Sequence, residues 1–439
     1  MKPQARRASV VGGGWSGLAC ALRLADAGIA VTLHEAAPQL GGRARRVDVA
    51  LGDRRFPLDN GQHLLVGAYD RTQALLARIG SAHSAMRRLP FQLRYRDGFS
   101  LCAARLPAPW HLLFGTLAAK GLSAAERWSL VQWTLRWRLR GWRIQADCPA
   151  SALFEATPRT LVQRLWEPLC LAALNVRLSQ ASARILLNVL RDTIGGTADA
   201  ADFLIPCHDL GKLVPDAAAQ ALAAQGAHVR CGERIERLAR HAAGWQLQST
   251  RARTDADAVV LALPPNRAAD LVEGAGTASD VCKALRALDY APIATVYLRY
   301  GAPLALEHVV HPLREDRQQQ RFGQWVFDRG ALDPRHASIL SVVVSGAGPH
   351  LELDHTELAG CVAEQLKAEL GTPAPAAHAI IVEKRATIVP SPGLQRPAAR
   401  VGHRLYLAGD AADSPYPSTL EGSVRAGEAA ADALLQDLR

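Results

Sequence analysis

Paired cysteines are missing from this 439-residue chain. Cys20, Cys102, Cys148, Cys170, Cys207, Cys231, Cys282 and Cys361 form no CxxC or CxxH pattern. That scatter argues against a zinc site or a disulfide framework and suits a reducing cytoplasm. No metal site is expected. Lysine is scarce, six of 51 basic residues, so arginine abundance partly reflects coding bias. No apolar run reaches the ~18 residues of a spanning helix. The opening MKPQARRASVVGGG meets glycine too soon for a signal-peptide apolar region. Neither repeats nor low-complexity segments stand out.

What remains is a globular composition, 49% hydrophobic and 21% charged. The length suggests two domains. Ala8–Val11 reads as a strand, Ser16–Ala27 as a helix ended by Gly28, and Ala30–Leu33 as a second strand. From Leu210 a helical run, Gly211–Ala224, leads into three short strand-like runs. The buried strand Ala258–Leu263 follows and stops at Pro264-Pro265. A last block, RLYLAGDAA, precedes a terminal helix over Ser418–Leu435. The three blocks read as pieces of one domain.

Gly12-Gly13-Gly14-Trp15-Ser16-Gly17 is GxGxxG between a strand and a helix. In that setting Gly12 permits the tight turn, Gly14 lets a pyrophosphate approach the backbone, and Gly17 allows helix–strand packing. The helix N-terminus at Trp15 and Ser16 favours the anion. Glu35 lies 18 residues beyond Gly17, where a carboxylate would accept hydrogen bonds from a ribose diol. Without that setting GxGxxG is weak, and a glycine loop that binds nothing is the alternative. The pattern alone leaves NAD and FAD both open.

Further segments narrow the choice. Leu40-Gly41-Gly42-Arg43-Ala44-Arg45 resembles the GG-R segment of the flavin amine oxidase and phytoene desaturase superfamily. Gly409-Asp410 resembles its C-terminal acid, which implies a contact to the ribityl chain. Ser418-Thr419-Leu420-Glu421-Gly422-Ser423 resembles the helix start lying against the flavin ring, and Arg234-Ile235 the beginning of the adenine-contacting strands. The resemblance implies FAD. It also implies an α/β fold: a Rossmann-like FAD-binding domain assembled from discontinuous segments, residues 1–70, 206–270 and 386–439. Residues 71–205 and 271–385 would then form a mixed α+β substrate domain.

Leu58-Asp59-Asn60-Gly61-Gln62-His63 resembles the signature of the squalene-associated FAD proteins, the hydroxysqualene dehydroxylases of bacterial hopanoid synthesis. Trp166-Glu167-Pro168-Leu169 with Ala172-Ala173-Leu174-Asn175, and Phe203-Leu204-Ile205-Pro206 with Asp209-Leu210-Gly211, resemble further segments of that family. Cys207-His208 departs from it. The resemblance implies loss of an allylic hydroxyl and gain of hydride from reduced FAD, with Gly61 and Gln62 near the flavin. It also implies a lipophilic isoprenoid substrate and an electron donor for FAD that the sequence does not identify. Hydroxide leaves poorly, so a proton donor is needed. His63, Asp59 and Tyr416 are the candidates. A packing role for His63, a bracing role for Asp59 and a wall role for Tyr416 are the alternatives. A carotenoid desaturase or amine oxidase is the competing activity.

Between Arg87 and Arg143 stand eleven basic residues, two acids and five of the nine tryptophans. Glu126–Ile144 sets Trp128, Val131, Leu135, Leu139 and Trp142 on one helical stripe, with Arg136, Arg140 and Arg143 on another. Pro109–Phe114 before it is apolar but too short to span. The pattern over residues 105–145 predicts a monotopic contact with a membrane surface, hence a cytoplasmic protein peripheral on the inner membrane face. Nucleic acid is excluded as a partner, because the tryptophans recur at helical spacing and no nucleic-acid fold is visible.

Overall fold

The structure, a computed structural model, describes residues 6–81, 85–241, 244–276 and 279–438. Short Val- and Leu-rich runs build a six-stranded sheet. Its order is His228–Cys231, Ala30–Glu35, Arg7–Val11, Ala258–Leu261, Leu405–Leu407 and Arg400–Gly402. Neighbours run parallel except for the last pair. Parallel strands covered on both faces need continuous apolar runs, and Ala258–Leu261 is buried at every position. Val10 stands opposite Leu33 on one side and Val260 on the other.

The first helix, Trp15–Asp26, packs against the terminal helix, Leu420–Asp437. A Cβ on Gly427 would lie 2.1 Å from the Ser16 carbonyl oxygen, so only glycine fits there. The expected Gly211–Ala224 helix is broken into Leu210–Leu213 and Pro215–Ala224. Proline has no N–H to continue the first ladder and opens the second helix instead.

A second, antiparallel sheet has the order Val310–Pro312, Trp325–Asp328, Ile339–Ser345, Tyr290–Arg299 and Ala377–Ile388. Its residues alternate between faces. Val296, Val326 and Val342 pack with Leu358, Val362 and Leu366 of the His355–Leu370 helix. Trp325, Phe327, Val343 and Thr295 line a cavity.

The remaining wall is helical. Trp133, Trp137 and Trp142 are buried in one core with Phe154 and Trp166. The Trp133 and Phe154 rings stack with centroids 5.1 Å apart. This corrects the expected helix over Glu126–Ile144. The observed helix is Ala124–Leu139, begun by a capping box of Ser123 and Glu126. Gly141 and Trp142 adopt positive φ, which turns the chain and drives the Trp142 ring inward. Trp142 therefore leaves the expected stripe. Trp128, Leu135 and Leu139 keep it and are exposed.

Candidate active site

A single cavity of about 930 Å³ runs between the parallel sheet and the helical wall. One half is made by backbone and polar groups. Gly12, Gly14, Trp15, Ser16, Glu35, Gly42 and Arg43 border it, together with Ile235, Gly409, Asp410, Thr419 and Leu420.

The three glycines of the loop have different duties. Gly12 has φ +109°, and a Cβ there would meet the Ala262 carbonyl oxygen at 2.2 Å. Gly17 lies outside the lining, where a Cβ would sit 1.9 Å from the Gly12 oxygen. Gly14 is open, its nearest neighbour being Gly42 Cα at 3.9 Å. The Trp15–Asp26 helix has no side-chain N-cap and no acid in its first turn. Its first amide N–H groups thus remain donors for an anion. Ser16 Oγ is buried with no protein partner. The Glu35 carboxylate accepts the Gly13 and Ala37 amides at 2.7 Å each and keeps lone pairs for a diol. An uncapped helix start, an open glycine and an unsatisfied hydroxyl fit the diphosphate and ribose of FAD.

Toward the cavity centre, Arg43 pairs with Asp410 and donates to the Ala386 carbonyl at 2.7 Å. Thr419 caps the terminal helix by accepting from the Gly422 amide at 3.1 Å. That helix therefore directs its positive end at the cavity. Asn60, Gly61, Gln62 and His63 border the cavity as well.

The other half is apolar. Phe91, Leu169, Leu190, Phe203, Trp325 and Phe327 contribute to it. Asn175, in the left-handed conformation at the end of the Glu167–Leu174 helix, clamps this wall. Its amide donates to the Ala291 and Pro292 carbonyls and to Thr387 Oγ1, and its oxygen accepts from the Gly346 amide.

The three expected proton donors are disposed differently. Asp59 is 2% exposed and does not border the cavity. Its carboxylate accepts from the Leu210 amide at 2.7 Å and faces the Arg329 guanidinium at 3.9 Å. Burial pushes its carboxyl up to about 6, against the pull of Arg329 and the Leu210 amide. Asp59 braces the turn and has no access to a substrate in the cavity.

His63 borders the cavity, with Nδ1 2.7 Å from the Gly61 carbonyl oxygen. A carbonyl only accepts, so Nδ1 carries the proton and Nε2 is an acceptor in the neutral ring. Burial lowers the His63 pKa; the Gly61 carbonyl works against this and the Arg43 charge adds to it. The neutral ring is thus favoured, which is unsuited to donating a proton near neutral pH. Tyr416 also borders the cavity, and its hydroxyl donates to Asp192 Oδ2 at 2.7 Å.

Two buried or cavity-lining groups escaped sequence reasoning. Arg329, 1% exposed, donates to Gln62 Oε1 at 3.0 Å, and Ser341 Oγ donates to the same oxygen at 3.0 Å. Gln62 is thereby fixed from behind. Asp192 lines the cavity from the Ala183–Thr193 helix. A lone acid in an otherwise apolar helical stripe was the only available signal. Among the described residues, no cluster of His, Cys, Asp and Glu could hold a metal ion.

The family described as flavin containing amine oxidoreductase matches residues 15–435. A hydroxysqualene dehydroxylase of Rhodopseudomonas palustris is 32% identical, covering 97% of this chain and 97% of its own length. One from Sinorhizobium fredii is 26% identical over 98% of each chain. Among solved structures, an oxidoreductase from Methanosarcina mazei superposes with a TM-score of 0.74 at 17% identity, over 97% of this chain and 100% of that one. The cavity and these end-to-end matches agree: the chain belongs to the flavin containing amine oxidoreductase family, in its hydroxysqualene dehydroxylase branch.

Proposed function

We propose that this chain reductively dehydroxylates hydroxysqualene to squalene with FAD as its redox cofactor. The observation that carries the reading is the continuity of the cavity, in which a nucleotide cradle opens into an apolar chamber. A C30 hydrocarbon needs such a chamber, and binding there removes apolar surface from water at roughly 25 cal/mol per Å². Reduced FAD, when bound, would supply the hydride, and the hydroxyl would leave as water after taking up one solvent-derived proton. The glycine loop, Ser16, Glu35 and Ile235 would hold the nucleotide; Arg43, Gly61, Gln62, Asp410, Thr419 and Leu420 would border the flavin. The apolar wall excludes water from the reacting carbon. His63 Nε2 serves as a hydrogen-bond acceptor at the polar end. Turnover would require an external electron donor for the cofactor. On this reading residues 1–70, 206–270 and 386–439 form the cofactor domain, and the intervening segments form the substrate domain.

Anaerobic incubation of the reduced enzyme with hydroxysqualene tests the proposal. Squalene is the expected product. New double bonds in squalene or phytoene under oxidising conditions, with no turnover of hydroxysqualene, would establish a desaturase instead.

The substrate class raises the question of access, and a second observation supports a membrane surface as partner. No described helix is long and apolar enough to cross a membrane. Two helices nevertheless present apolar residues to solvent: Trp110, Phe114 and Leu117 on one, Trp128, Leu135 and Leu139 on the other. At 100° per residue, Arg136 and Arg138 flank the second stripe on either side. This suits an interfacial helix on anionic lipid at the inner membrane face. Its inner side packs into the same core as the cavity wall. Flotation with anionic liposomes is expected for the wild-type protein and lost in Arg136→Glu/Arg138→Glu. Equal flotation of both would reject the electrostatic contact.

A further inference from the structure

Most polar groups on the apolar side of the cavity are already engaged. Thr193 Oγ1 donates to the Val189 carbonyl at 2.8 Å. Asn175 is saturated by the contacts given above. Tyr416 and Asp192 differ. Asp192 Oδ1 accepts from Arg191 Nε at 2.7 Å, and its Oδ2 accepts from the Tyr416 hydroxyl. The Arg425 guanidinium lies 4.7 Å from the centre of the Tyr416 ring and donates to Glu421 at 2.7 Å, which fixes the ring from the other side. The phenol is thus held at both ends.

The consequence follows from donor arithmetic. A phenol has one O–H, and that proton points at Asp192. The Arg191 guanidinium also lies within reach of the phenol oxygen, so what Tyr416 offers the cavity is its remaining lone pair. Burial and then the Asp192 carboxylate raise the Tyr416 pKa, so the phenol keeps its proton. A group that can only accept selects a ligand that donates.

We propose that Tyr416, positioned by Asp192, is the hydroxyl-recognition element of the cavity, accepting a hydrogen bond from the allylic O–H of the substrate. This rests on the dehydroxylase reading and deepens it. The contact orients the C–O bond and leaves the lone pairs of the substrate oxygen free for protonation. An O–H whose hydrogen is already engaged is also a better acceptor, because linked hydrogen bonds polarise one another. The same contact discriminates between substrate and product. Squalene lacks the hydroxyl, so it loses this grip once the C–O bond is broken. Asp192 also lines the cavity, but its Oδ1 and Oδ2 already accept from Arg191 and from the Tyr416 hydroxyl, so its part is to position the phenol.

The test is equilibrium binding of hydroxysqualene and squalene to the oxidised holoenzyme in detergent micelles, by titration calorimetry. The wild-type protein is expected to prefer the alcohol by roughly tenfold, the value of one hydrogen bond strengthened by a neighbouring charge. Tyr416→Phe keeps the ring and the Arg425 contact; its affinities for the two ligands should become equal, with squalene binding unchanged. Asp192→Asn should reduce the preference without abolishing squalene binding. The Arg191 donor would hold the amide oxygen, so its NH₂ would face the phenol and compete with the ligand for the lone pair. Unchanged squalene affinity certifies the fold of either variant, and each variant tests the pair if the other is unstable. Full retention of the preference in both variants would overturn the proposal, as would equal loss of affinity for both ligands. Wild-type enzyme that binds the two ligands equally yet still makes squalene would overturn the recognition pair alone. Failure to make squalene would overturn the function and the pair together.

Discussion

The two halves of the cavity are built by different means. The nucleotide half is made of backbone: glycines without Cβ atoms, uncapped amides and helix ends, all close in sequence to a strand end. The apolar half is made of side chains brought together from remote segments and clamped by Asn175. Backbone sites fail abruptly, because a carbonyl oxygen cannot move aside for a methyl group. Side-chain walls fail by degrees, because neighbours relax into the space.

Four experiments sharpen or break that contrast. Gly17→Ala should have the largest effect. Its Cβ would stand 1.9 Å from the Gly12 oxygen, so purified protein should carry no flavin absorbance. Normal flavin content would show that the loop tolerates what its geometry forbids. Arg329→Met comes next. It strands the Asp59 carboxylate in a buried site without its partner and should cost about 3–5 kcal/mol in denaturant unfolding. Leu190→Ala in the apolar wall should cost about 2–3 kcal/mol while leaving flavin content intact. Flavin loss in this variant would erase the distinction between the halves.

The smallest effect concerns pH. The folded-state pKa of His63 lies below its ordinary 6.5, so the neutral ring persists as pH falls through that value and is protonated only lower. If the neutral ring is the working form, the acid limb of the rate profile lies below pH 6.5 and disappears in His63→Ala. A rate that falls as pH rises through this range, and flattens in His63→Ala, would instead assign the imidazolium as proton donor.

The same contrast explains what could be read from the sequence. The glycine loop and Glu35 were legible because their geometry is set by a few adjacent residues, whereas Asp410, paired with Arg43 over 367 residues, and Thr419 were read through the family resemblance. Asp59 stayed ambiguous, since an acid beside a glycine turn can react or brace until Leu210, 151 residues away, is seen to donate to its oxygen. Arg329 and Asp192 were invisible for the same reason, with partners 267 and 224 residues distant. The tryptophan-rich stripe was half legible. Its periodicity predicted a helix, but the positive φ at Trp142 leaves no trace in a hydrophobic pattern, and Trp133 and Trp137 belong to the core.

The central sheet has a bearing on how the protein is made. Its parallel strands include Arg7–Val11 and Leu405–Leu407, and the Arg43–Asp410 pair closes over 367 residues. The first glycine loop to leave the ribosome therefore waits for nearly the last strand. At about 5–20 residues per second that wait lasts roughly 20–70 seconds. During it, the strand Ala258–Leu261, apolar at every position, lacks its outer neighbour. The cofactor site is then incomplete until Asp410 has emerged, and nascent chains truncated before Leu405 are the species most exposed to aggregation.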